Sequence, residues 1–180
     1  MAVEALQNKR EINKMKRALH GRNRALFVLG VSMGLRISDL LTLKFGDIRD
    51  KQTLEIVEGK TGKPRVITIS DTVRKEIAKL DGGDDDYIFA SRKRNADGTS
   101  KPISRVQAYR ILRAGAKRAG LDVKIGTHSL RKTFGRILHE NGVPLSRIMV
   151  ILNHSSEAIT ARYIGITAEE IAEAYEAIEI

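Results

Sequence analysis

The 180-residue sequence contains no cysteine, which excludes disulfides and thiolate metal sites. No apolar run reaches the length that spans a bilayer, and no basic–apolar–small leader opens the chain. The expectation is a soluble, unexported, cytoplasmic protein with no membrane partner. There is also no internal repeat, no low-complexity tract and no linker that divides the chain. At this length that predicts one domain over 1–180, with 1–20 as an N-terminal helix or arm.

Positive charge is what the sequence has in surplus: 32 Lys and Arg stand against 22 Asp and Glu, a net +10. Residues 164–180 carry five glutamates and no Lys or Arg, so 1–163 alone holds 32 − 17 = +15. A surplus of that size favours a polyanion such as nucleic acid, whose counterions are released on binding; a Lys-rich soluble surface is the plainer alternative. The most lopsided stretch, 91–118, holds nine basic residues and one acid. Arg92, Lys93, Arg94, Lys101, Arg105, Arg110 and Arg113 are therefore candidates for a nucleic-acid-facing surface.

Apolar periodicity predicts a buried helix over 23–33 ended by Gly34, then a short helix capped by Ser38 and running to Leu43. The period changes between Gln52 and Ile69. Leu54 and Ile56, then Val66, Ile67 and Ile69, flank the turn-rich link from Glu58 to Pro64, which predicts a β-hairpin. Tyr87-Ile88-Phe89 predicts one more short strand. Helices follow at 71–80, 103–119, 128–141, 144–152 and 156–163. Thr167 and Glu170 form a capping-box signature for a terminal helix over about 165–180. Its apolar stripe, Ile171, Ala174, Tyr175 and Ile178, must be buried on its own domain or on a neighbour. The fold class is α+β, mainly helical, with a small antiparallel sheet made of the hairpin plus one short strand.

Within 127–164 lies an unusual group of side chains. His128 and Arg131 share one helix face, His154 follows in a second segment, and Tyr163 comes nine residues after it. Two imidazoles, a guanidinium and a phenol suit the gripping of a phosphodiester and its attack by an oxygen nucleophile. Upstream, Arg36 sits in apolar company as either a snorkelling surface residue or an anion-binder, with Asp39 near enough to orient it. Lys60, between Gly59 and Gly62 at the hairpin tip, is either a solvated turn lysine or a mobile proton donor. The acidic run Asp84-Asp85-Asp86 reads as a solvated turn rather than a metal site.

Taken together, these positions resemble the tyrosine recombinases of the phage integrase family. The order Arg36, Lys60, His128-x-x-Arg131, His154, Tyr163 matches the family's catalytic signature. So do the runs Gly34-Leu35-Arg36-Ile37-Ser38-Asp39-Leu40, Gly59-Lys60-Thr61-Gly62-Lys63, Thr127 to Phe134, and Leu152-Asn153-His154 with Thr160-Ala161-Arg162-Tyr163. The gaps fit too: 24 positions from Arg36 to Lys60, 23 from Arg131 to His154 and nine from His154 to Tyr163. Four positions depart from the usual pattern. Met33 replaces a frequent Thr, Asp39 a common Glu, Lys132 a frequent His, and Asn153 a usual Gly. Members commonly carry a helical DNA-clamping domain upstream, and the expectation here is that no such separate domain is present.

The resemblance implies a site-specific DNA recombinase or integrase catalytic domain that cuts and rejoins strands through a covalent 3′-phosphotyrosine. In it Tyr163 is the nucleophile, His128 the base, Arg36 and Arg131 the phosphate clamp, His154 a further donor and Lys60 the acid. It also implies double-stranded DNA as partner, in a bacterial or phage-infected cell. Self-association as a tetramer on DNA is expected, with the C-terminal helix possibly exchanged between protomers. No metal or nucleotide cofactor is expected: the site supplies cationic donors, no acidic pair falls among the boxes, and no glycine-rich phosphate loop is present. The rival readings are a DNA-binding regulator that keeps the fold, a type IB topoisomerase-like enzyme and a metal-dependent nuclease. A regulator would be expected to have lost a catalytic position, whereas all six are filled.

Overall fold

The computed structural model describes residues 3–167 together with 170, 172 and 176. Residues 3–7 run extended rather than helical. The Asn8 side chain accepts from the Glu11 N–H at 2.9 Å and the Glu11 carboxylate accepts from the Gln7 N–H at 2.7 Å, so α1 begins only at Lys9 and spans Lys9–Ala18. The extended lead is still anchored. Its Glu4 N–H donates to the Lys124 carbonyl at 3.1 Å, and the Leu6 N–H to Thr133 Oγ1 at 2.8 Å.

Helix α2, Gly21–Met33, is the centre of the first core, with Ala25 to Val31 and Met33 all buried. A helix apolar on every side must be surrounded, and the buried cluster includes Met15, Leu40, Phe89 and Leu112. Gly34 ends α2 at φ +58°, and α3 follows at Ile37–Leu41. The predicted cap at Ser38 is corrected: the Arg36 carbonyl already accepts from the Asp39 and Leu40 N–H groups at 3.0 and 2.9 Å, which places the helix start two residues earlier.

The hairpin forms as predicted. Strands β1, Thr53–Val57, and β2, Pro64–Thr68, pair antiparallel with Leu54 opposite Ile67, and both of these face the core. The extra strand at Tyr87 to Phe89 does not. Among the described residues the sheet has two strands, and Tyr87 forms only an isolated bridge with Lys44. The partner segment coils into a single 3₁₀ turn at Phe45–Asp47, so the ladder stops after one pair while Ile88 and Phe89 stay buried.

Helices α4, Asp71–Ile77, and α5, Arg105–Arg118, are capped by Ser70 and Ser104. Then come α6, Thr127–Glu140, α7, Leu145–Ile151, and α8, Glu157–Ile164. The chain divides into two compact units, Met1–Phe134 and Gly135–Ile180, and the division falls inside α6 rather than at a loop. In the second unit Ile148, Leu152 and Ile164 are buried, and Gly135 lies so close to them that a Cβ there would stand 2.6 Å from Ile164 Cγ2. The capping box is present: Thr167 N–H donates to Glu170 Oε2 at 2.9 Å and Glu170 N–H to Thr167 Oγ1 at 3.2 Å. The stripe of Ile171, Ala174, Tyr175 and Ile178 lies outside the described residues. Among the described residues no helix is long and apolar enough to cross a membrane.

Candidate active site

In the first unit, four of the predicted positions are brought onto neighbouring elements: Arg36 before α3, Lys60 at the hairpin tip, and His128 and Arg131 in the first turns of α6. Arg131 is buried, and its Nη1 donates to the Gly34 carbonyl at 2.6 Å. That carbonyl is reachable because Gly34 packs directly on Phe134, one turn along α6. The left-handed turn that ends α2 thus doubles as the anchor of a guanidinium.

A charged cluster forms there that the sequence reading missed. Glu58, 1% exposed, ion-pairs through Oε2 with Arg36 Nη1, and its Oε1 lies 3.4 Å from Arg65 Nη1 and 3.8 Å from Arg131 Nη1. Thr61 Oγ1 donates to Glu58 Oε2 at 2.9 Å. Arg65 also donates to the carbonyls of Gly34, at 3.4 Å, and Met33, at 3.2 Å. Burial holds the Arg65 pKa below its usual range, and the Glu58 charge opposes that shift. One carboxylate facing three guanidiniums leaves the cluster cationic.

Asp39, expected to orient Arg36, is placed differently. Its Oδ1 accepts from the Gly59 N–H at 3.3 Å and from Ser38 Oγ at 3.2 Å, so it steadies the turn next to Lys60 while Glu58 grips the arginine. Lys60 is exposed in that turn. His128 is open to solvent on one side. Partial burial of the ring, then the charges of Lys132, Arg131 and Lys60, hold its pKa below 6.5 and favour the neutral imidazole at pH 7.

In the second unit His154 and Tyr163 are together. Their ring centroids are 4.9 Å apart with planes at 75°, an edge-to-face contact. His154 closes α7 in a Schellman turn: its N–H donates to the Met149 carbonyl and the Asn153 N–H to that of Val150, both at 3.0 Å. Asn153 takes φ +50°, which explains the residue types at this position, since Asn is the non-glycine side chain that best tolerates the left-handed region. His154 Nδ1 lies 3.1 Å from Thr160 Oγ1, which lies 3.0 Å from the Ser156 carbonyl. A hydroxyl that donates to that carbonyl accepts from Nδ1–H. Tyr163 sits in the last turn of α8, just before Gly165 at φ +79°.

The basic candidates Arg92, Lys93, Arg94, Arg105, Arg110 and Arg113 are exposed, and Lys101 is half-buried. Arg94 donates to the Gly98 carbonyl at 2.9 Å, and Arg113 lies over the Tyr109 ring. In the acidic loop Asp84 pairs with Arg49 at 2.5 Å and Asp85 with Lys44 at 3.6 Å. Among the described residues no group of three His, Asp or Glu is placed to hold a metal ion.

The profile described as the phage integrase family matches residues 4–170. A probable integrase/recombinase YoeC of Bacillus subtilis (strain 168) is 40% identical over 178 residues, covering 96% of this chain and 95% of that protein. A tyrosine recombinase XerA of Pyrococcus furiosus is 33% identical over 160 residues, covering 86% of this chain but 54% of the relative. The chain therefore spans nearly all of the first protein and about half of the second. Among solved structures, that of a XerA recombinase superposes with a TM-score of 0.76 at 22% identity, covering 100% of this chain and 66% of the other. A lambda integrase dimer bound to a COC′ core site superposes with a TM-score of 0.70 at 23% identity, over 100% of this chain and 52% of that one. Fold and profile define a tyrosine-recombinase-type protein. This chain belongs to the phage integrase family.

Proposed function

We propose that the chain cuts and rejoins DNA strands as the catalytic domain of a site-specific tyrosine recombinase. The observation that carries the reading is the cationic cluster of Arg36 and Arg131 with Lys60 and His128 beside it, in a chain of this family. Tyr163 attacks a backbone phosphate: its Oη–P bond forms as the P–O5′ bond breaks, giving a 3′-phosphotyrosine and a free 5′ hydroxyl. A phenol with an ordinary pKa near 10 needs a base, and the neutral imidazole of His128 takes its proton. Arg36 and Arg131 bind the non-bridging oxygens and stabilise the charge that builds on them. His154 donates to the same oxygens. Lys60 gives a proton to the departing 5′ oxygen. Religation reverses the steps, and the ester bond energy held in the phosphotyrosine makes a nucleotide unnecessary.

The proposal extends to a single catalytic domain over 1–180 that self-associates on double-stranded DNA through a C-terminal helix, with the exposed arginines of 91–118 on the phosphate backbone. It also places the protein in the cytoplasm, on the nucleoid. Relatives of the same fold support this: a lambda integrase is described as a tetramer bound to a Holliday junction. The test uses a pool of nicked duplexes with randomised recognition arms, from which covalent complexes are captured under denaturing conditions. Wild type is expected to yield a phosphotyrosyl peptide containing Tyr163, and Tyr163→Phe none while still binding duplex. A peptide mapping to Tyr87, Tyr109 or Tyr175 would overturn the assignment.

A further inference from the structure

The Glu58 carboxylate is a buried negative charge that the reaction scheme does not use, at the point where the hairpin turn meets the arginines. It belongs to both. Its backbone N–H donates to the Lys63 carbonyl at 3.0 Å and its carbonyl accepts from the Gly62 N–H at 2.8 Å, so it opens and closes the turn that carries Lys60. Its side chain contacts Arg36, Arg65 and Arg131 and takes the Thr61 hydroxyl at 2.9 Å.

We infer that Glu58 is a positioning residue, which locks the guanidiniums of Arg36 and Arg131 into the geometry needed to bind the scissile phosphate. The inference rests on the proposed function and adds to it a group outside the signature. Burial distinguishes it from a carboxylate that merely fills the phosphate site and leaves when DNA arrives. The Glu58 side chain is 1% exposed and that of Arg36 20%, so the carboxylate lies behind the arginine and not in front of it. A guanidinium has five N–H donors in a rigid fork; one edge fixed on a buried anion orients the other edge toward solvent. Arginine is otherwise rich in rotamers, and a clamp ordered only at the transition state would forfeit part of its binding energy to that ordering.

Glu58→Gln keeps the shape but replaces one acceptor oxygen with an NH₂ that faces a guanidinium, so one clamp arginine must turn away. The duplex is taken from the covalent pool above and made in two forms, one with a normal phosphate and one with a bridging 5′ sulfur that departs without protonation. Loss of a negative charge favours long-range attraction to DNA and offsets the displaced arginine contact, so duplex affinity at fixed salt falls far less than cleavage does. Single-turnover cleavage falls about 10–100-fold, by analogy with the loss of outer partners that orient metal ligands. The sulfur duplex restores Lys60→Ala but not Glu58→Gln. Wild-type cleavage by Glu58→Gln overturns the inference, and so does full rescue by sulfur, which would leave Glu58 serving the Lys60 turn alone. If Glu58→Gln does not fold, Thr61→Val decides: it keeps the charge, frees Oε2 of its hydroxyl, and is expected to slow cleavage less, again without sulfur rescue. An unchanged rate in that variant refutes the inference. A wild-type chain that forms no covalent complex overturns the proposed function and this inference with it; a competent wild type with an equally competent Glu58→Gln overturns this inference alone.

Discussion

Gly34→Ala perturbs backbone, core and clamp through a single methyl group. At φ +58° an L-side chain costs about 1–2 kcal/mol relative to glycine. The added Cβ would stand 2.5 Å from Phe134 Cε1 and closer still to Cδ1, an overlap of the kind that costs about 1–3 kcal/mol in a packed core. The two contributions give a loss of about 2–5 kcal/mol, which for a chain of this size lowers Tm by about 10 °C at the middle of the range. Calorimetry on Gly34→Ala, Phe134→Leu and the double variant separates them. Leucine removes part of the ring that the methyl meets, so the double variant is expected to be less damaged than the sum of the singles, by about 1–3 kcal/mol. The backbone strain persists in both alanine variants. Because the Gly34 carbonyl accepts from Arg131 at 2.6 Å, cleavage by the folded fraction should fall as well. A Gly34→Ala protein within about 0.5 kcal/mol of wild type, or strict additivity of the pair, would refute the close-approach argument.

The pH dependence of cleavage follows from His128. A base must be neutral, so the rate rises with pH through the imidazole pKa, and the depressed value puts that midpoint on the acid side of 6.5. Lys132→Met removes one cause of the depression and should move the midpoint upward in single-turnover profiles; an unmoved midpoint counts against His128 as the base. Thr160→Val deletes a fully buried hydroxyl beside His154 and should cost about 1–3 kcal/mol in denaturant titrations. Its cleavage should fall while duplex affinity holds, and equal losses in both would make Thr160 a packing residue only. Replacing Arg105, Arg110 and Arg113 with Glu should weaken binding to all duplexes alike and flatten the logarithmic salt slope by about 0.9 for each phosphate that is no longer neutralised. An unchanged slope would assign that face of α5 to solvent.

The sequence alone determined most of the elements, because their signals are local. Gly34, Gly120 and Gly142 mark helix ends, Ser70 and Ser156 cap the helices that follow them, and Leu54 opposite Ile67 needs only a period of two. It also holds, in order and spacing, six positions that resemble the family signature, a pattern readable without knowledge of the contacts. Local pattern failed where a neighbour in space decided the outcome. Asn8 with Glu11 delayed α1, and the 3₁₀ turn after Lys44 reduced the strand at Tyr87 to one bridge. Along the chain Asp39, three residues on, is the carboxylate near enough to orient Arg36. The tertiary structure gave that arginine to Glu58, 22 residues on, and sent Asp39 to the turn beside Lys60. In the sequence Glu58 is only the last polar residue before a turn. A buried carboxylate is stable where cations converge on it, and Arg36, Arg65 and Arg131 reach Glu58 from three separate places in the chain: before α3, on β2 and on α6.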